Sequence, residues 1–527
     1  AQQWGLFVRG IGIRVGRGDF DELLLAARAL AFADRPAGSR RHLPGAFQFV
    51  MNTRSTWLLR GASALLLLAF TGCGAAYSGY MGGSLKRMGN RDYEGALAKL
   101  EKPDGKTNKL LYRLEKGLIF HYQGQYEFSN REFEKAERLI DDLYTRSASR
   151  EVAALLTNDA IRPYTGEEFE RVLIHYYRAM NYQHLGDPQA ALVECRKANL
   201  KLEDYAEVAE YELGYRNDAF MQYMTGMLYE AEGELNDAYV SYRDAEKGYR
   251  AYRLAFGFQA PRSLGRDLAR TAQKLGYEQE AVQHMLQYKL APEDLEGDIG
   301  EEVVVFVESG FVARKHQREI NLPIMEGDDT GAVWVLSDRM VYRHHHPHVY
   351  RGGRVKYWLR VALPEYREVS SQVQRVRLSG GGQSVEGTVL ENLNSIALKN
   401  FAEKEDRILL RTAARALAKY LAAKGVEKAF EEDGDDDDGE KLVKEGVGML
   451  LGALVNLFGA ATEAADTRSW LSLPGQIHMA RLNLPPGTVD LMIEFMDGGG
   501  RVIESQVMPA VEIEKGKPVF LNYRGYR

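Results

Sequence analysis

Two short runs of histidine and aspartate are the places where this sequence could carry out chemistry. The first, YRHHHPHVYRGG, contains His344, His345, His346 and His348. Imidazole nitrogens bind zinc, but a site needs three or four converging ligands, each held by a further partner. Adjacent side chains in an extended loop point apart, and Pro347 prevents the helical spacing that would align two imidazoles. We interpret the run as an exposed loop, with a metal site at His344, His346 and His348 as the alternative.

The second run is DGDDDDG at 433–439. An EF-hand loop that began at Asp433 would need glycine at its sixth position, where this chain has Asp438. Like charges repel and keep such a run extended, so we expect an acidic linker over 431–440. The chain also lacks a nucleophile elbow, a phosphate-binding loop and a dinucleotide fingerprint. We therefore expect no enzyme activity and no cofactor.

The distribution of charge excludes one class of function. The 527-residue chain has a formal charge of −6, but residues 1–72 carry nine arginines and only four acidic side chains. The rest is distinctly acidic, whereas nucleic-acid binding needs a basic face. The only cysteines are Cys73 and Cys195. Two cysteines cannot build a disulfide framework in a chain of this size, so stability must come from apolar burial.

Cys73 closes the most apolar run of the chain, MNTRSTWLLRGASALLLLAFTGC. Arginines come first, an uncharged leucine-rich run follows, and small residues lead into the cysteine. The run is shorter than the roughly 20 residues that a membrane-spanning helix needs, which favours a secretory signal. Residues 51–72 resemble a bacterial lipoprotein signal peptide with Phe70–Cys73 as its lipobox. The resemblance implies cleavage before Cys73 and acylation of that cysteine.

Acyl chains on Cys73 would tether the protein to a membrane. Each buried CH₂ group contributes about 0.8 kcal/mol, so several chains on one residue bind durably. For such lipoproteins, glycine rather than aspartate after the cysteine implies the periplasmic face of the outer membrane, and Gly74 follows here. Residues 1–50 show no sustained periodicity. We expect a disordered, non-native upstream extension, with at most a short helix over 20–32 and Met51 as the true start.

Three segments line up as internal repeats. They are GLIFHYQGQYEFSNREFEKA (117–136), AMNYQHLGDPQAALVECRKA (179–198) and GMLYEAEGELNDAYVSYRDA (226–245). Each begins with a small residue, has glycine seven positions later, and then has a second small residue and a larger plug residue. The pattern resembles the tetratricopeptide repeat (TPR), in which helices A and B meet at the glycine. A fainter match lies at 268–282, and 88–101 resembles a lone second helix. We expect an irregular TPR-like solenoid over 73–295.

Stacked helix pairs form a concave face from the A helices. The side chains predicted there as partner-binding are His121, Tyr176, Gln183, Tyr223 and Glu230. Aromatic and polar groups suit a groove for a peptide or a partner helix. Alternatively, the two tyrosines pack against the next repeat. Cys195 falls at the plug position of a B helix, where we expect a small buried side chain rather than a nucleophile or ligand.

Residues 296–527 change from helical periodicity to β-branched runs. Strands are predicted in GEEVVVFVESGFV, GAVWVLS, YWLRVALPEY, VQRVRLS and QSVEGTVL. A helical pattern covers 392–424, and further strands follow residue 467. The fold class is therefore α+β: a helical solenoid, then a mixed, mainly antiparallel domain whose sheet takes strands from both sides of a helical insertion.

An apolar helix is predicted within that insertion, over 442–466. Its centre, Gly446–Thr462, has 17 uncharged residues, which is the lower limit for crossing a bilayer. Charged residues flank both ends, which favours a buried or partner-facing helix. Membrane insertion, or oligomerisation there through small residues, stays open as an alternative.

Four segments together resemble one protein family. They are PYTGEEFERVLIHYYRAMNYQHLGD (163–187), VVVFVESGFVARK (303–315), LLRTAARALAKY (409–420) and ADTRSWLSLPGQIHMARLNLPPG (465–487). They are similar to a poorly characterised family of bacterial outer-membrane lipoproteins with tetratricopeptide-like helices. The resemblance covers nearly all of residues 73–527. It implies a role in the cell envelope and names neither a reaction nor a cofactor.

These observations favour a non-enzymatic, lipid-anchored periplasmic scaffold or adaptor. Its membrane partner would be reached through Cys73, and its protein partner through the helical repeats, in envelope biogenesis or export. Tethering would keep that partner at high effective concentration near the membrane. Two alternatives stay open: a metal-dependent envelope hydrolase that uses His344–His348, and a self-assembling surface or export component that uses helix 446–462. The sequence leaves the oligomeric state undetermined.

Overall fold

A computed structural model of the chain describes the following residues: 4–8, 11–15, 73–100, 108–147, 162–208, 215, 218–257, 259–297, 299–325, 334–335, 355–409, 411–412 and 464–526. The predictions for the signal peptide 51–72, the histidine run, the acidic linker 431–440 and the apolar centre 446–462 lie outside the described residues.

Ten α-helices are described before residue 290. They are α1 (Cys73–Gly89), α2 (Tyr93–Lys99), α3 (Lys109–Tyr122), α4 (Tyr126–Ser147), α5 (Glu168–His184), α6 (Pro188–Val208), α7 (Ala219–Ala231), α8 (Leu235–Phe256), α9 (Arg262–Lys274) and α10 (Glu278–Tyr288). The helices α3 to α10 form four consecutive pairs, and each pair packs on the next. This arrangement confirms the predicted helix–turn–helix repeats, including the fainter one at 268–282.

The turn between the two helices of each pair is made by a glycine in the left-handed region. These are Gly124, Gly186, Gly233 and Gly276, with φ from +73° to +79°. A side chain with a Cβ is strained there, which explains why glycine recurs at this position. Between α1 and α2, which precede these four pairs, the corresponding turn residue is Arg91, with φ of 59°. The expectation of a lone second helix at 88–101 was wrong, because α1 precedes α2, and Ser84 Oγ donates a 3.0 Å hydrogen bond to the carbonyl oxygen of Ala96.

Small residues on the A helices allow the paired helices to approach closely. A Cβ added to Gly117 would lie 2.7 Å from the ring of Phe133, and one added to Gly226 would lie 2.4 Å from the ring of Tyr242. Both rings are fully buried. The small first residue and the large plug residue of the sequence pattern are therefore direct steric partners.

Thirteen strands are described. They are β1 (Trp4–Val8), β2 (Ile11–Val15), β3 (Glu302–Ser309), β4 (Arg314–Met325), β5 (Trp334–Val335), β6 (Val355–Arg367), β7 (Arg375–Gly380), β8 (Gln383–Glu386), β9 (Thr388–Asn392), β10 (Gln476–Asn483), β11 (Gly487–Met496), β12 (Val502–Ile513) and β13 (Val519–Gly525). A helix, α11, covers 393–409. The predicted strands and the start of the helical insertion are confirmed, except that only Trp334–Val335 of the predicted strand GAVWVLS lies among the described residues.

Two four-stranded sheets carry most of these strands. The inner sheet has the order β13-β3-β10-β9 and the outer sheet the order β12-β11-β7-β8. Every pairing is antiparallel except that of β13 with β3. Strand β7 pairs with β11 and strand β9 pairs with β10, and both partners follow the insertion. The prediction that strands from both sides of the insertion share a sheet is confirmed.

Strand β3 is buried on both of its faces. Val304 and Phe306 belong to the core shared with the helices. Val303, Val305 and Val307 belong to the core between the two sheets. A strand in the middle layer has no solvated face, which explains a continuous apolar run without alternation. The layers are helices, inner sheet and outer sheet.

The chain divides into two compact units, and the boundary differs from the predicted one near residue 295. The larger unit comprises Gly74–His316, Pro364–Glu405 and Asp466–Arg527, so it contains both the repeats and the two sheets. The smaller unit comprises Ala1–Cys73, Gln317–Leu363 and Asp406–Ala465. In the smaller unit, β1 and β2 form an antiparallel pair, where the sequence predicts little regular structure.

The close contact at Gly226 yields a prediction for stability. Gly226→Ala would place a methyl group against the ring of Tyr242, and we expect a loss of about 1–3 kcal/mol in the free energy of unfolding. The matched control is Gly82→Ala on α1, because a Cβ there meets no atom within 4 Å. The control should be neutral or stabilising by up to about 1 kcal/mol. Urea unfolding measures both, and equal losses would contradict the steric pairing.

Candidate functional site at the inner face of the repeats

The A helices bring the predicted partner-binding residues to the inner face of the array, but this face is not open. His121, Tyr176, Tyr223 and Glu230 are each at most 5% exposed. Side chains from the inner sheet of the same chain cover this face. The predicted groove is thus filled within the molecule, which corrects the expectation that these side chains face a partner.

Glu308 on β3 is the centre of the contact. Its carboxylate accepts hydrogen bonds from the hydroxyls of Tyr176 and Tyr177, both at 3.0 Å, and from the hydroxyl of Tyr122. The side-chain amide of Asn522 on β13 donates a fourth bond, at 2.9 Å. Glu308 is fully buried. A buried carboxylate needs such donors to replace water, so three A-helix tyrosines and this strand residue depend on each other.

His121 extends this network. Its Nδ1 lies 2.6 Å from Asn181 Oδ1, and its Nε2 lies 2.7 Å from Asn522 Nδ2. Because an amide nitrogen only donates, Nε2 must accept and Nδ1 must carry the proton. Burial lowers the pKa of His121 to about 3, so the imidazole is neutral at physiological pH. His184 Nε2 lies 3.0 Å from Asn522 Oδ1, and burial also lowers the pKa of His184.

Tyr223 belongs to a second buried network, which is ionic. Its hydroxyl donates to Asp267 Oδ2 at 2.8 Å, and Arg481 on β10 donates both to that hydroxyl and to Asp267. Burial alone would raise the pKa of Asp267, but Arg481 and Arg270 outweigh it and the pKa is lowered. Arg270 also holds Glu230 through two hydrogen bonds of 3.0 and 2.8 Å. Removing one partner of such a group leaves a buried charge uncompensated.

A third contact uses an irregular segment, 465–475, which we term the strap. Trp470 N donates to Glu170 Oε1 at 2.8 Å, and Leu471 N donates to Glu115 Oε1 at 2.9 Å. Both main-chain donors and both carboxylates are buried. The A helices α3 and α5 therefore bind this irregular segment of their own chain through its main-chain N–H groups.

Gln183 and Cys195, for which the sequence also gave predictions, belong to none of these three contacts. Gln183 is half-buried, and its Nε2 atom has no hydrogen-bond partner. Cys195 is fully buried, and burial raises the pKa of its thiol to about 12. The prediction that Cys195 is a small buried side chain is confirmed.

Sequence reasoning missed the residues that fill the inner face, above all Glu308, Asn522 and Arg481. The signal for Glu308 was present, since it follows a continuous apolar run with no alternation. Such a run indicates a strand buried on both faces, and a carboxylate in it must find internal donors.

One described cluster has the residue types of a metal site. Ligand atoms of Glu137, His175 and Glu194 lie within 4.8 Å of one another. Arg178 already lies among them, with guanidinium nitrogens 2.7 Å from Glu137 and 3.0 Å from Glu194. The arginine supplies the positive charge that a cation would otherwise bring. The predicted alternative ligands His344, His346 and His348 lie outside the described residues.

Comparisons with known proteins give low similarity. No protein-family model matches the chain, and no curated protein matches it. The crystal structure of MamA aligns with 40% of this chain and 93% of its own, at 15% identity and a TM-score of 0.25. That of a Rap protein complexed with Competence and Sporulation Factor aligns with 42% of this chain and 55% of its own, at 17% identity and a TM-score of 0.26. The TPR-like description rests on the chain's own helix pairs and turn glycines.

Within the described part of the chain, no helix is both long enough and apolar enough to span a membrane.

The buried carboxyl of Glu115 yields a prediction of pH dependence. Burial raises its pKa to about 7, from an ordinary value near 4.5. The folded state thus holds a proton that the unfolded state releases, and the stability from protonated Glu115 is lost as the pH rises from about 4.5 to 7. We expect the wild type to lose free energy of unfolding relative to Glu115→Gln at up to about 1.4 kcal/mol per pH unit in this window.

Chemical unfolding of both proteins between pH 5 and 8 measures this difference. The control is Glu134→Gln, because Glu134 is exposed and its hydrogen bond with Arg138 lowers its pKa. Its difference from the wild type should be constant over the same range. A Glu115→Gln difference that also stays constant would show that Glu115 is ionised in the folded protein throughout.

Proposed function

We propose that this protein is a non-enzymatic scaffold of the bacterial cell envelope. A lipid on Cys73 would anchor it at the periplasmic face of the outer membrane, and its helical repeats would bind a protein partner in envelope biogenesis or export. The observation that carries the proposal is a division of the array into two faces. The inner face is filled by the chain's own sheet, whereas the outer helices expose apolar side chains.

The exposed apolar residues recur on the second helices of the pairs. They are Phe128 on α4, Val193 and Leu200 on α6, Val240 and Leu254 on α8, and Val282 and Leu286 on α10. Leu254 is 86% exposed and Leu286 is 77% exposed. Exposed apolar residues scattered singly are normal and need no explanation, but these share a pattern.

The pattern is one of spacing along each helix. Val193 and Leu200 are seven residues apart, and Val240 and Leu254 are fourteen residues apart. Seven residues are close to two helical turns, so each pair lies along one face of its helix. Such an exposed apolar surface suits a protein partner. The inner face does not, because the chain's own sheet fills it. This moves the proposed contact from the A helices, where the sequence predicts it, to the B helices.

The lipid anchor rests on the sequence. Cys73 is the first residue of α1, so a lipid there would join the chain at the start of a described helix. The two alternative functions depend on His344–His348 and on helix 446–462, which lie outside the described residues. No observation on the described part of the chain favours either of them.

Crosslinking in intact cells, followed by mass spectrometry of the purified protein, tests the proposal. We expect a peptide that begins at acylated Cys73, together with a defined crosslinked protein partner. The double variant Leu254→Ser, Leu286→Ser should lower the recovery of that partner by roughly tenfold or more, because central apolar contacts dominate binding. Gln283→Ser, an exposed polar change on the same helix as Leu286, is the control and should leave recovery unchanged.

Two results would count against the proposal. An uncleaved chain without a lipid would remove the anchor and the predicted location. Equal recovery of the partner with the double variant and with the control would remove the outer face as the binding surface.

A further inference from the structure

Besides the junction between Cys73 and Gly74, the chain passes between the two compact units at four points beyond residue 300. It leaves the larger unit after His316 and returns at Pro364, then leaves again after Glu405 and returns at Asp466. The larger unit has a buried or half-buried side chain within three positions of each point. These root residues are Lys315, Tyr366, Lys404 and Asp466.

Two of the root residues share one carboxylate. Lys404 Nζ lies 2.7 Å from Glu167 Oε2, and Lys315 Nζ donates to the other oxygen of Glu167. Lys404 also forms an ion pair with Glu168. The side chains of Lys315 and Lys404 are 7% and 17% exposed. Lys315 at a root of the first internal segment and Lys404 at a root of the second therefore both contact Glu167.

The other two root residues lie beside this pair. The ammonium group of Lys315 lies 5.4 Å from the centre of the Tyr366 ring. Asp466 accepts two hydrogen bonds of 2.8 Å from the buried guanidinium of Arg468, and it interacts electrostatically with Lys315. All four roots are thus connected through Lys315.

The acidic pair is also part of the start of α5. Glu167 is the N-cap residue, and its main-chain N–H donates to Glu170 Oε2 at 3.0 Å. Glu170 in turn accepts the N–H of Trp470 in the strap. Burial opposes the ionised form of Glu167, but Lys315 and Lys404 outweigh burial and lower its pKa. Glu167, Lys315 and Lys404 are largely but not fully buried, so their charges are interdependent, since removing one member leaves charge poorly compensated.

We propose that the first turn of α5 is a clamp that couples the roots of both internal segments, 317–363 and 406–465, so that loosening one root loosens the other. Independent attachment of the two segments would need no shared carboxylate. The clamp makes Glu167 the side chain of the larger unit on which the order of both sets of roots depends.

Hydrogen–deuterium exchange of the full-length chain tests the clamp. Lys404→Met removes a cation at the second segment's root, and we expect exchange to rise by roughly tenfold or more at 400–405. Coupling predicts a rise of similar size at the roots of the first segment, 312–316 and 364–368. Neither stretch is a sequence neighbour of Lys404. Helices α7 to α10 should exchange as in the wild type.

The control is Lys517→Met, which removes an exposed lysine 2.6 Å from Glu514 and should leave all the roots unchanged. If Lys404→Met does not fold, Glu168→Gln is used, because it removes only one of the acidic partners of Lys404. It should give the same pattern with smaller rises. A rise confined to 400–405 would overturn the proposal, and so would a proportional rise over the whole larger unit.

Discussion

A single carboxylate, Glu308, sets the constraint on which the larger unit depends. It lies in the middle layer, on a strand with apolar neighbours on both faces, where water cannot satisfy it. Four donors from two helices and one strand surround it instead. Because a buried carboxylate without donors is costly, the helical repeats and the inner sheet are mutually required. The same logic holds for Asp267 with Arg481, at the other end of the contact.

This constraint changes the use of a familiar architecture. A solenoid of helix pairs usually offers its concave face to a separate partner. Here the helix-facing positions of three strands occupy that face: β3 contributes Glu308, β10 contributes Arg481 and β13 contributes Asn522. The strap adds main-chain contacts to Glu115 and Glu170. Repeats and sheets form one compact unit, and the outer helices carry the exposed apolar side chains to which the proposed partner contact is assigned.

Much of the fold could be predicted from the sequence, because local patterns determine it. The turn glycines, and the small residues opposite Phe133 and Tyr242, reflect short-range sterics and gave the right helix pairs. The β-branched runs gave the strands. The contacts of the inner face could not be predicted in the same way. Side-chain type indicated that His121 and Tyr176 suit a polar contact, but nothing local shows that the contact is with residues more than 100 positions away. Residues 88–101 were misread because Arg91 takes the place of the expected turn glycine.

The most direct test of the account is a double-mutant cycle between the helices and the inner sheet. Tyr176→Phe removes one hydroxyl donor, and Glu308→Gln removes the charge of the acceptor while keeping its shape. Hydrogen bonds to a charged group contribute about 1.5–3 kcal/mol, so unfolding free energies of the two single variants and the double variant should give a coupling of about 1–3 kcal/mol. Additive losses, with no coupling, would contradict the claim that the repeats enclose a sheet of their own chain.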